Sequence, residues 1–139
     1  MKVKNLKRLF FYTIVAIFIV FILFFLLTCT QIGDSVQTQC QKAKAEYNGD
    51  CTEALIDILN DENQSFKTRN AAIWALGQLG DNHALPVLQS YYTGNISSKE
   101  PINEVISQHE LKKAINLTSG GFNITAVFWR TSFFNKEVN

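Results

Sequence analysis

The chain has 139 residues, one domain's worth, with 13 Lys+Arg against 12 Asp+Glu and a net charge of +1. That balance excludes a strongly basic nucleic-acid binder and an acidic disordered tail, and two His, three Cys and two Pro leave little material for a metal site. The average conceals an uneven placement. Lys2, Lys4, Lys7 and Arg8 carry no acidic counterpart, whereas the remainder holds 9 basic and 12 acidic residues, a net of −3.

No charged residue lies between Leu9 and Gly33. Residues 9–27 (LFFYTIVAIFIVFILFFLL) form an apolar run with no polar stripe. As a helix rising 1.5 Å per residue the run reaches about 30 Å, the thickness of a hydrocarbon core. Its length exceeds the apolar core of a cleaved secretory signal, and the exit Thr28-Cys29-Thr30 lacks the small residues that cleavage needs. Leu26-Leu27-Thr28-Cys29 is only an imperfect lipoprotein box, because Thr28 stands where a smaller residue is wanted. The expectation is therefore an uncleaved, single-pass anchor at 9–29. The positive flank at 1–8 stays in the cytoplasm, and everything beyond about residue 30 lies outside it.

In an extracytoplasmic compartment a Cys40–Cys51 disulfide is chemically allowed, though the spacing equally suits two buried thiols. Cys29 is left over at the membrane exit: free, acylated or lipid-facing. Four Asn-x-Ser/Thr sites, at Asn63, Asn95, Asn116 and Asn123, are little more than composition alone produces, and glycosylation is not expected.

Downstream, the pattern is of short helices. Ser35–Tyr47 is polar and helix-forming, closed by the turn Asn48-Gly49-Asp50, so residues 30–51 read as a juxtamembrane helix and turn. Asp50 or Thr52 caps a helix with Ala54, Leu55, Ile58 and Leu59 on one face. Ser65 or Thr68 opens the next, which carries Ala71, Ala72, Ile73, Ala75, Leu76 and Leu79 and stops at Gly80. Asp81 caps a helix over Asn82–Tyr92, with Pro86 in its early turns. Ser97-x-x-Glu100 and Ser107-x-x-Glu110 are both capping-box patterns, which predicts one broken helix or two over 98–117, with a break near Ser107. Residues 53–59 superpose on 83–89 at an offset of 30, aligning Ala54 with Ala84, Leu55 with Leu85 and Ile58 with Leu88.

Residues 69–81 (RNAAIWALGQLGD), followed by 83–88 (HALPVL), closely resemble the HEAT-like repeat first named from phycobilisome lyases. The resemblance is sharp over about 30 residues and looser across 52–119. It implies an all-α stack of helical hairpins whose usual work is protein–protein scaffolding, a few members instead handling bilin chromophores. Each motif residue has a structural role in this reading. Arg69 reaches a neighbouring turn, Gly77 thins the helix where another crosses, Gly80 permits a left-handed exit, and Asp81 caps the next helix.

After Gly120-Gly121 the pattern turns extended. Phe122, Ile124, Ala126 and Phe128 alternate with Asn123, Thr125 and Val127, and Trp129, Phe133 and Phe134 add aromatic area, so residues 120–139 read as an aromatic tail folded back on the end of the stack. Docking on a membrane partner or lying at the lipid interface is the competing use of that tail.

No phosphate loop, zinc-ligand spacing or nucleophile elbow occurs. His83, the single His109-Glu110 pair and the carboxylates at 46–62 read as solvated surface. The expectation is thus an all-α protein: an N-terminal transmembrane helix, a short HEAT-like stack and an extended aromatic tail. It has no catalytic, cofactor or metal residues and no nucleic-acid partner, and binds another protein through Trp74, Gln78, Tyr91, Tyr92 and Trp129. The alternatives are an accessory subunit of a larger membrane complex, or a bilin-lyase-like enzyme subunit.

Overall fold

The computed structural model describes residues 2–131, with side chains from residue 5 onward. Phe133 and Phe134 of the expected tail lie outside the described residues. Helix α1 spans Lys2–Glu46, α2 Cys51–Asn60, α3 Phe66–Leu79, α4 Leu85–Tyr91, α5 Gln108–Thr118 and α6 Ile124–Trp129, with a 3-10 turn at Asn82–Ala84 before α4. Among the described residues there is no strand.

Helix α1 is unbroken from the basic N-terminus into the folded domain. The apolar run and the polar helix expected at 35–47 are one element, because 28–34 contains no proline and its single glycine is compatible with continued helix. Side chains between Leu9 and Phe24 are exposed, and this is the one helix among the described residues long and apolar enough to cross a membrane. From residue 29 onward the character changes. Cys29, Val36, Cys40 and Ala43 recur at helical spacing on one face and are buried against the domain.

The core gathers Val36, Cys40 and Ala43 of that face with Ala54, Leu55, Ile58 and Leu59 of α2, Ala72, Ile73, Ala75 and Leu76 of α3, Leu88 of α4, Leu111 and Ala114 of α5, and Trp129 of α6. Helix α3 is the centre and touches α1, α2 and α5. Being covered on several sides, it is apolar around most of its circumference and needs small residues where neighbours come close. Gly77 is such a place. A Cβ built there would stand 2.8 Å from the Cα of Ala114 on α5, so the absence of a side chain sets the α3–α5 separation. Gly80 closes α3 with φ of 63°, the left-handed exit.

The turn Asn48-Gly49 leads into α2 through a complete capping box, in which the Asp50 carboxylate accepts from the Glu53 N–H at 2.9 Å and the Glu53 carboxylate accepts from the Asp50 N–H at 3.1 Å. Cys40 and Cys51 are joined by a disulfide, their Cα atoms 5.0 Å apart, tying α1 to the start of α2. Tyr47 adds a polar link, its hydroxyl donating to the Asp61 carboxylate at 2.5 Å.

Three expectations need correction. Residues 98–106 are not helical, and Ser97 caps nothing: Pro101 would fall where the first intrahelical N–H belongs, and it disfavours helical backbone at Glu100. Only the second capping serine works, Ser107 accepting from the Glu110 N–H at 3.1 Å to start α5. Residues 82–92 begin as a 3-10 turn, so the helix proper starts at Leu85 with Pro86 in its first turn. Finally, the tail is not extended over 124–129. No neighbouring strand exists among the described residues to pair its backbone, and Asn123 instead accepts from the Ala126 N–H at 3.2 Å to cap the short helix α6.

Gly77→Ala tests the close crossing. Alanine favours helix by about 1 kcal/mol, but the facing atom is Ala114 backbone, which cannot rotate away. We expect overpacking to prevail and urea unfolding to show a net loss of about 1–2 kcal/mol. A gain would mean the helices separate without cost.

Candidate interaction surface

Arg69 is buried at the start of α3. Its Nε donates to the Leu59 carbonyl at 2.8 Å, one of the carbonyls left without an intrahelical partner at the end of α2. The guanidinium lies between two rings, 5.9 Å from the Phe66 centroid and 5.7 Å from that of Tyr91. The arginine therefore joins three elements: the end of α2, the start of α3 and the end of α4.

Its neighbour Asn70, which the motif reading did not single out, points the other way. The Asn70 amide donates to the carbonyls of Ile102 and Val105, at 2.8 and 2.9 Å, while its oxygen accepts from the Ser107 N–H at 2.9 Å. One buried side chain thus holds the long connection before α5. Because the Ser107 N–H is taken, Glu110 cannot complete a capping box and pairs instead with Lys113 at 2.9 Å. Glu100 adds a second carboxylate at this helix start, accepting from the Ser107 hydroxyl and from the Gln108 N–H at 3.1 Å. Its place after Ser97 suggested a different role, and only the fold of the loop reveals this one.

The five residues expected to face a partner do not form one site. Trp74 and Gln78, one turn apart on α3, line a recess of about 240 Å³ completed by Gly77, Glu110, Lys113, Ala114 and Leu117. Both are half-buried. Gln78 is also occupied internally: its side-chain oxygen accepts from the Asn123 amide at 3.0 Å, and its carbonyl accepts from the Arg130 guanidinium, with Nε at 2.9 Å. Tyr91 and Tyr92 lie at the end of α4, away from that recess and both half-buried. The Tyr91 hydroxyl donates to the Asn60 side chain at 3.0 Å. Trp129 is not at the surface at all. It is 2% exposed and packs on α1 at Gly33, where a built Cβ would stand 3.2 Å from the Trp129 Cβ. A large ring fits there because α1 has no side chain at that point, a complementarity between residues far apart in sequence.

Among the described residues no group of three or more His, Cys, Asp or Glu is placed to hold a metal ion. The acidic residues that depart from ordinary behaviour have structural causes. The Ser107 hydroxyl, with the N–H groups of His109 and Gln108, holds the Glu100 carboxyl below the usual carboxylate range. The Tyr47 hydroxyl does the same for Asp61, which in turn pushes the Tyr47 phenol up.

Residues 30–97 match the family described as HEAT repeats. The match supports a HEAT-like assignment for this part of the chain and includes the upper portion of α1, which the motif around Arg69–Asp81 left outside the repeat. Within it, upper α1 and α2 pack as one hairpin, whereas α3 packs on α2 and α5, and α4 lies against α5. At the same offset of 30, Cys40 corresponds to Asn70 and Ala43 to Ile73, and all four are buried. No curated protein matches the chain, nor does any solved structure.

Two outcomes test this construction. Asn70→Ala leaves an N–H and two carbonyls of the loop without their partner, so we expect a loss of about 2–3 kcal/mol in urea unfolding, with faster amide exchange over 101–107. On acidification, the depressed Glu100 carboxyl contributes stability that is complete above its unfolded value of 4.5. That stability is lost as the pH falls through the lower folded value. Glu100→Gln should lower the melting temperature at neutral pH and flatten its fall between about pH 5 and pH 3. An unchanged acid slope would remove Glu100 from the account.

Proposed function

We propose that this chain is a membrane-anchored, extracytoplasmic HEAT-repeat module that binds another protein and carries out no catalysis. The observation that carries this reading is the joining of two kinds of surface on one helix. Residues 9–24 of α1 are apolar and exposed, and the same helix then becomes a wall of the repeat core. An apolar surface of that extent is stable in lipid and not in water. The four basic residues before it, with no Lys or Arg after it until Lys42, favour a cytoplasmic N-terminus. The Cys40–Cys51 bridge suits an oxidising compartment on the far side.

HEAT repeats commonly serve protein–protein interaction, and the recess at Trp74 has the features such a contact uses. A half-exposed indole stands beside a Glu110–Lys113 pair on its rim, giving apolar area with flanking charges for orientation. The volume is small for a large prosthetic group, and no observation favours the pigment-handling members of the family over the scaffolding ones.

The reading is tested in intact cells. Gln89→Cys on exposed α4 is treated with a membrane-impermeant maleimide, and a photoreactive residue replaces Trp74. We expect Gln89→Cys to be labelled without permeabilisation and the probe at 74 to yield one discrete protein adduct, lost on Lys113→Glu. Labelling only after permeabilisation overturns the topology, and an adduct pattern indifferent to Lys113 overturns the surface.

A further inference from the structure

The outer face of α6 has no partner in the fold. Ala126 and Trp129 turn inward and Phe128 meets α1 at the edge, while Ile124 and Val127 on the other side, with Phe122 just before the helix, leave apolar side chains bare. Phe122 is 81% exposed, Val127 55% and Ile124 52%. The helix is nevertheless fixed in place. Trp129 is seated on Gly33, Arg130 holds the Gln78 carbonyl and Asn123 the Gln78 side chain. A rigidly mounted apolar face is a different object from a loose greasy end, because its direction is determined.

That direction follows from α1. The Phe128 ring meets the Phe25 ring edge to face, with centroids 5.2 Å apart and planes at 85°. Phe25 belongs to the apolar run 9–27. Contacts of Phe128 at Phe25 and of Trp129 at Gly33 hold the C-terminal end of α6 against a stretch of α1 about 12 Å long. If the run 9–27 fills the hydrocarbon core, Phe25 lies about 3 Å inside its outer edge and Gly33 about 9 Å beyond it, at the outer limit of a polar layer about 5–8 Å thick on each side. We propose that α6 with Phe122 is an interfacial membrane element: its bare face is covered by the lipid bilayer that α1 crosses, with Phe122, Ile124 and Val127 seated at the boundary between acyl chains and headgroups. The inference rests on the spanning reading of α1 and extends it, since a single crossing helix leaves a domain free to swing whereas a second contact fixes its tilt. Continuity selects lipid over a protein as the occupant. The exposed surface of α1 around Phe24 and Leu27 runs into the α6 face through the Phe25–Phe128 contact, so whatever covers the first meets the second. Depth agrees as well, interfacial helices burying their apolar side about 5–10 Å into this region.

The test uses the full chain in vesicles of phosphatidylethanolamine and phosphatidylglycerol. In a Cys29→Ala background with the Cys40–Cys51 bridge intact, a nitroxide is attached singly at Phe122→Cys, Val127→Cys, Phe18→Cys and Gln89→Cys. Collision with oxygen is then compared with collision with a water-soluble nickel chelate. All four positions are exposed, so the substitutions leave the fold undisturbed. We expect positions 122 and 127 to shift toward the lipid-like ratio of position 18, with a shallower depth, while position 89 reads aqueous. Aqueous readings at 122 and 127 beside a lipid-like 18 would overturn the interfacial element and leave the spanning helix standing. An aqueous reading at 18 would remove both. Spin–spin broadening at 122 and 127 that vanishes on dilution with unlabelled chain would put a second copy on this face and also overturn the proposal.

Discussion

The burial of one face of α1 from Cys29 to Ala43 is the constraint on which the remaining architecture depends. A free solenoid of two hairpins exposes both ends of its core and falls short of the number of repeats such stacks generally need. Here the first helix of the first hairpin is the continuation of the long apolar helix, so one end of the stack is formed by the same element that carries the apolar run. The disulfide between Cys40 and Cys51 then fixes the first hairpin closed close to its turn.

At the other end, closure is achieved by polar side chains acting across long sequence distances. Arg69 and Asn70 are adjacent, yet one faces the end of α2 and the other the connection before α5. Their burial is tolerated because their donors are matched by carbonyls that would otherwise lack partners. Arg130 repeats the device at the end of α3, a cation on the last carbonyls of a helix, where the backbone dipole favours it. The helix starts are capped locally, but the carbonyl ends of α2 and α3 each take an arginine from another element, which couples the placement of α6 to that of α3.

Much of this was legible in the residues, and the pattern of failures is physical. The apolar run, the helix over 66–79 and the left-handed stop at Gly80 rest on local composition and backbone preference, and the structure has them. The role of Gly77 could be inferred because a motif supplied the crossing helix. Asn70 could not be singled out, since nothing local distinguishes a buried asparagine with three loop partners from a solvated one. The helix wrongly expected at 98–106 had its contrary signal in Pro101, which outweighs a serine and a glutamate at capping spacing. For the tail, alternation of apolar and polar residues suggested strand, but alternation describes only side chains. The backbone required hydrogen bonds that no adjacent strand could provide, and a helix satisfies them internally. Trp129 was expected at a surface because aromatic residues are frequent at interfaces. Its pocket is formed by the missing side chain of Gly33, a residue almost a hundred positions away in the segment read as a juxtamembrane helix and turn.

The proposed arrangement also bears on how the recess at Trp74 meets another protein. Helix α3 packs directly on upper α1, and its last turn is tied to α6 through Gln78. If α1 crosses the bilayer, any tilt of that helix is therefore transmitted to α3 as a rigid displacement, with no flexible linker to absorb it. Tethers of the disordered kind enlarge the volume a binding site explores and so reduce the effective concentration at any one place. A continuous helix with a second lipid contact at α6 would do the reverse: the helix fixes the height of the recess, and the second contact narrows its orientations above the membrane. That geometry suits a partner held in the same bilayer better than one arriving from solution, because part of the orientational entropy of association has been removed in advance.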